Sequence, residues 1–235
     1  MALLSGVVRG FSGFGAALTY MPLMSAIYGP QLAAPSFLLI DCATGLVLTL
    51  SIRHKTDWHG IVPPAAAAML AVQFGTLILQ YADPTALRWA MAGLVIAVVV
   101  ILASGWRYHG RPLLAVTLGA GLLSGLMSGA MQMAGPPIIL CWLGSAQDFV
   151  QVRANFIAYF ALLALGAVVT YLAHGLLSPV VIAMALVLGP LHVVAMWAGT
   201  GLFNRMSERS YRWIAYVIVA GSALISLPVF DRWMH

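Results

Sequence analysis

The chain has 235 residues, 62% of them apolar and only 7% charged, with a formal net charge of +5. A soluble domain carries roughly 25% charged residues, so this sequence cannot cover a water-exposed surface and belongs in lipid. Its basic residues are spread over several short loops, which suits membrane anchoring and excludes a nucleic-acid patch.

Charge-free spans run from Gly10 to Ile40, Trp58 to Ala82, Trp89 to Trp106, Pro112 to Gln147, Ala154 to Asn204 and Trp213 to Phe230. One helix needs about 20 apolar residues to cross a bilayer. The longest spans therefore hold more than one crossing, or a crossing plus a folded-back segment. None shows the alternating pattern of outer-membrane strands, so the expected class is all-α and polytopic. No basic stretch precedes the first apolar run as in a cleaved signal peptide, and that run is expected to stay as a membrane element.

Eight membrane segments are expected, at about 2–27, 32–53, 60–81, 87–106, 113–145, 152–173, 177–203 and 210–230. The linkers are too short for a soluble domain, so residues 1–235 form one membrane domain. The positive-inside rule gives a tie of five basic residues against five: Arg53, Lys55, Arg107, Arg111 and Arg232 face Arg88, Arg153, Arg205, Arg209 and Arg212. The denser early clusters, RHK and RYHGR, favour a cytoplasmic N-terminus.

The first segment carries GFSGFGAALTYMP at 10–22, and the fifth carries GLMSGAMQMAGPP at 125–137. Gly10 and Pro22 match Gly125 and Pro137 at an offset of 115. PSFLL at 35–39 resembles ANFIA at 154–158 at an offset of 119, and PAAAAM at 64–69 resembles PVVIAM at 179–184 at 115. Gly75-Thr76 with Arg88-Trp89 matches Gly199-Thr200 with Arg212-Trp213 at an offset of 124. Their common order points to a duplicated four-segment unit, with repeat 1 at about 1–110 and repeat 2 at about 111–235. An even number of crossings per unit places the pseudo-twofold axis along the membrane normal. Re-entrant first and fifth segments would instead invert the repeats.

Gly and Pro inside a spanning helix free backbone groups that lipid cannot satisfy. Paired interruptions in corresponding segments of two halves point to a transporter's binding site. A helix restarting after such a break offers N–H groups and a positive dipole end to an anion. The nearby polar residues are donors as well: Arg9, Ser12, Thr19 and Tyr20 in the first copy, Ser128 and Gln132 in the second. The competing reading is close helix packing, since Gly6, Gly10 and Gly13, like Gly121, Gly125 and Gly129, have GxxxG-like spacing. Pro22 and the Gly135-Pro136-Pro137 run are harder to explain by packing.

On these residues the chain resembles the TauE/SafE sulfite exporter family, also called the toluene sulfonate uptake permease family. Gly13, Phe14, Gly15, Pro22 and Ser36 fit the first signature, Arg53 to Trp58 the basic loop, and Gly135 to Pro137 the second signature. Ala16-Ala17 departs from the family's glycine run. The resemblance covers nearly the whole chain. It implies a multi-pass permease of the bacterial inner membrane for a sulfur oxyanion such as sulfite, or for an organosulfonate. Arg9, Ser12, Gly13, Gly15, Tyr20, Pro22, Ser36, Gln132, Gly135, Pro136 and Asn155 are the candidate substrate-binding residues.

Ionisable groups at membrane depth are functional candidates. Asp41, near the middle of segment 2, is a proton-coupling site or an ion partner for Arg9 or Arg153, against the alternative of a helix-packing hydrogen bond. His192, beside Gly189-Pro190, is a second proton-coupling candidate, against the alternative of a satisfied packing residue. Arg9 either meets the anion or snorkels to the interface. Asn155 aligns with Ser36, a pair that either faces the site or bonds between helices.

Trp58, Trp89, Trp106, Tyr108, Trp213 and Trp233 read as an interfacial belt. Cys42 and Cys141 read as buried free thiols. No nucleotide loop, metal spacing or Ser/His/Asp arrangement occurs, so no cofactor and no enzymatic activity is expected. The expected partners are a small anion and the lipid bilayer, and a homo-oligomer is compatible with the sequence. The alternative to a permease is a membrane scaffold or assembly subunit.

Overall fold

The computed structural model describes residues 1–12, 15–104, 113–142 and 149–203. The expected eighth segment, at about 210–230, lies outside them. The described residues form α1 (Ala2–Ser12), α2 (Ala16–Tyr28), α3 (Pro30–Ile52), a 3-10 turn (Arg53–Lys55), α4 (Trp58–Tyr81), α5 (Pro84–Ala103), α6 (Leu114–Met131), α7 (Gly135–Trp142), α8 (Phe149–Ala173) and α9 (Pro179–Phe203). No strand occurs among them.

Local chemistry sets the boundaries. Pro30, Pro84 and Pro179 open their helices, where a missing N–H costs nothing. Asp57 caps α4 by accepting from the Gly60 N–H at 3.2 Å, and Asp83 accepts from the Ala86 N–H at 2.8 Å at the start of α5. Among the described residues, five helices are long and apolar enough to cross a membrane. The 13 residues of α2, bounded by Gly15 and Gly29, reach only about 20 Å at 1.5 Å per residue, short of the roughly 30 Å hydrocarbon core.

Segments 1 and 5 are each two helices, and in both the chain doubles back. In segment 1, Ser5 meets His192, whose ring touches Phe37, while Arg9 reaches Asp41. Thus α1 runs alongside α3 in the same direction. Tyr20, in α2, then bonds Ser36 at 3.1 Å across the turn at Gly29, so α2 runs the opposite way. In segment 5, Ser124 Oγ donates to the Ala134 carbonyl at 2.6 Å. Ten residues of straight helix would separate them by about 15 Å.

The turning points are Gly15, with φ +88°, and Gln132, with φ +55°. Both lie in the left-handed region, where glycine is unstrained and most residues are not. Pro22 does not mark the first break, because it sits within α2.

Each hairpin packs its first arm on a distant helix. Gly6 and Gly10 of α1 seat on the carbonyls of His192 and Met196 in α9, and Gly199 seats on Val7. Gly121, Gly125 and Gly129 of α6 seat on the carbonyls of Pro64, Ala68 and Val72 in α4, and Gly75 seats on Leu126. Both pairs are parallel. At the centre, Gly45 faces Ala161 and Thr49 Oγ1 donates to the Ile157 carbonyl at 3.5 Å, so α3 and α8 cross antiparallel. Helices paired by an axis along the membrane normal would run in the same direction, so that expectation does not hold for α3 and α8.

Candidate functional site

A cavity opens where the two hairpin tips approach one another. The first hairpin lines it with Arg9, Gly15, Ala17 and Leu18, and the second with Ser128, Gln132, Met133, Ala134, Gly135 and Ile139. The antiparallel pair completes the wall with Phe37 and Asp41 from α3 and Phe160, Leu163 and Ala164 from α8.

An ion pair sits in this wall. Arg9 Nη2 lies 3.0 Å from Asp41 Oδ1 and donates to Oδ2 at 3.2 Å. Arg9 is 4% exposed and Asp41 9%, so both charges are withdrawn from solvent. The guanidinium carbon also stands 5.8 Å from the Phe160 ring centroid, within reach of a cation–π attraction. Arg9 therefore turns inward rather than snorkelling. Thr44 Oγ1 donates to the Asp41 carbonyl at 3.1 Å, which ties the α3 backbone at this level.

Helices α2 and α7 both begin at the cavity, directly after Gly15 and Ala134. The unsatisfied N–H groups of a first helical turn offer partial positive charge to an anion. In α7 Pro136 and Pro137 carry no N–H, so the cavity combines one guanidinium, one carboxylate, the donor-bearing start of α2 and an aromatic–aliphatic wall.

Of the sequence candidates, Arg9, Gly15, Asp41, Gln132 and Gly135 meet at this cavity. Tyr20 and Ser36 bond each other one layer away, and Ser36 also donates to the Ala33 carbonyl at 2.9 Å. Pro22 and Pro136 are buried within their helices and do not line it. Gly13 and the Ser12 side chain lie outside the described residues. His192 is fully buried in α9, behind Phe37.

Asn155 is displaced furthest from its expected role. Its Oδ1 accepts from the Asp57 N–H at 2.9 Å, so it secures the start of α4. Asn155→Ala is expected to cost about 1 kcal/mol of stability, seen as a lower melting temperature in detergent, with the KM for anion transport unchanged.

Sequence reasoning did not single out Phe37, Ile139, Leu163 or Ala164 as lining residues, nor Ser5 as a partner of His192. Phe37 and Asp41 are four apart, which places them on one helix face, but the apolar runs carry many such pairs. Among the described residues no group of three His, Cys, Asp or Glu could hold a metal ion.

A family model described as "Sulfite exporter TauE/SafE" matches residues 1–225. A curated protein of Cupriavidus necator, described as a probable sulfite/organosulfonate exporter TauE, is 25% identical over 234 residues. That alignment covers 95% of this chain and 90% of the relative. No solved structure matches the chain.

Proposed function

Because this chain belongs to the sulfite exporter TauE/SafE family, a family of membrane transporters, we propose that it is a secondary permease of a bacterial inner membrane. Its substrate is a small sulfur oxyanion or organosulfonate, the class printed for the C. necator relative. The observation that carries this reading is the buried Arg9–Asp41 pair in a cavity lined by both hairpin tips.

The site works by exchange of partners. With no substrate, Asp41 neutralises Arg9. An entering anion competes for the same guanidinium, and two negative charges sharing one cation repel strongly where little water screens them. A proton on Asp41 removes that repulsion. Anion and proton therefore occupy the cavity together, and the proton gradient does work on the anion. The first-turn N–H groups of α2 complete the anion's shell, since Pro136 and Pro137 leave the start of α7 without them.

The same contacts support two inverted repeats. Adding 119 to positions in α1 and 124 to positions in α4 carries Gly6–His192 onto Gly125–Ala68, Gly10–Met196 onto Gly129–Val72, and Val7–Gly199 onto Leu126–Gly75. This register is one helical turn beyond the offset of 115 read from Gly10 and Gly125. In it Arg9 corresponds to Ser128 and Asp41 to Phe160, so repeat 1 alone supplies the charged pair. Re-entrant hairpins give each repeat an odd number of crossings, as inversion requires.

The test is flux of radiolabelled sulfite and methanesulfonate in proteoliposomes with and without a pH gradient. Asp41→Asn is expected to abolish gradient-driven accumulation while sulfite still binds. Because Asn leaves Arg9 without its carboxylate, added sulfite should raise the melting temperature of Asp41→Asn more than that of wild type. Gradient-driven accumulation that survives in Asp41→Asn would remove Asp41 from the coupling path. Absence of flux for every sulfur anion in the wild type would remove the permease reading.

A further inference from the structure

His192 does not line the cavity, yet its surroundings are those of a working group. Its Nδ1 lies 3.1 Å from Ser5 Oγ, and that hydroxyl donates to the Ala2 carbonyl at 3.1 Å. A serine hydroxyl has one proton to give. With that proton directed at Ala2, Ser5 can only accept from the ring, so Nδ1 carries the hydrogen and Nε2 presents a lone pair. Nε2 is buried and has no hydrogen-bond partner among the described residues. A buried basic nitrogen in that state costs free energy and calls for a reason.

The neighbours supply one. The Phe37 ring stands 6.5 Å from the imidazole in edge-on geometry, and Phe37 also lines the cavity. The charged groups that act on the ring are Asp41 from α3 and Arg9 from α1, the same pair that occupies the cavity wall. On the other side lie the Ser5 hydroxyl and the Ala2 carbonyl, both buried in α1.

We propose that His192 is a proton relay for Asp41. The proposal rests on the reading of Asp41 as the coupling carboxylate. A proton released by Asp41 binds Nε2 over one water and gives an imidazolium. The imidazolium keeps its Nδ1–H on Ser5 Oγ and later gives the Nε2 proton back over the same water. The proton enters and leaves by Nε2, so the ring ends in its starting tautomer with hydrogen on Nδ1.

The experiment compares wild type, His192→Gln, Ser5→Ala and Asp41→Asn in proteoliposomes. Two assays are run on each: gradient-driven sulfite uptake with a pH-sensitive dye, and sulfite counterflow at equal pH, which needs no net proton movement. His192→Gln is expected to lose at least about tenfold in gradient-driven uptake and dye response, with counterflow within about twofold of wild type. Gradient-driven uptake at the wild-type level in His192→Gln overturns the relay. If His192→Gln does not fold, Ser5→Ala decides: a severalfold loss of uptake at retained counterflow supports the relay, and unchanged uptake overturns it. Uptake lost in Asp41→Asn but kept in both other variants sinks the relay alone. Wild type without gradient-driven uptake sinks the coupling reading and the relay with it.

Discussion

Arg9→Gln is expected to abolish sulfite flux and to destabilise the protein by about 3–5 kcal/mol. The loss of flux follows from geometry, since Arg9 is the one cation lining the cavity among the described residues. The loss of stability follows from the carboxylate left behind. Asp41 is 9% exposed and would keep a buried charge without its partner at 3.0 Å. Removing both charges separates the two effects. Arg9→Gln/Asp41→Asn should recover most of the lost stability, because a neutral pair can hydrogen-bond without a desolvated charge, yet it should transport nothing. Melting temperature in detergent and proteoliposome flux, measured on both singles and the double, close the cycle. Flux at the wild-type level in Arg9→Gln would remove this cavity as the anion site.

The second large effect concerns the seams between hairpin and partner helix. A methyl group at Gly10 would fall on the Met196 carbonyl, and one at Gly125 on the Ala68 carbonyl. In both the obstacle is backbone of a long helix, so no side chain can swing aside. Gly10→Ala and Gly125→Ala should therefore each cost about 3 kcal/mol or more, the upper range for overpacking. The matched control is Gly189→Ala, where nothing lies within 4 Å of the added carbon. It should stay within about 1 kcal/mol of wild type, since Ala is the better helix former. Melting temperature and monodispersity after detergent extraction report the difference. Equal behaviour of the three variants would contradict the close approach.

The sequence exposed the interruptions and hid their shape. Gly-rich stretches at 10–15 and 125–135 stand out in apolar surroundings, and breaks do occur beside them. Pro22 looked like part of the break, but a helix can carry a proline where its neighbours compensate, and the left-handed Gly15 makes the turn. The reversal at each tip was not legible, because a bent spanning helix and a re-entrant hairpin have the same composition. Glycines spaced at four along α1 and α6 line up equally well one turn apart, which is why the offset of 115 looked as good as 119. Arg9 and Asp41 were individually conspicuous as charges in apolar runs. The Ser5–His192 contact joins positions 187 apart through an unremarkable serine, and no local pattern signals it.

The pairing of α1 with α9 also sets a timetable. The glycine face of α1 seats against α9, so it has no partner until α9 has been synthesised. At ~5–20 residues per second this delay is roughly 10–40 s. Asp41 follows Arg9 by only 32 residues, early enough to hold the guanidinium neutral in the bilayer through that wait. The ion pair proposed as the transport site thus has a second use, keeping Arg9 neutralised while α1 waits for α9.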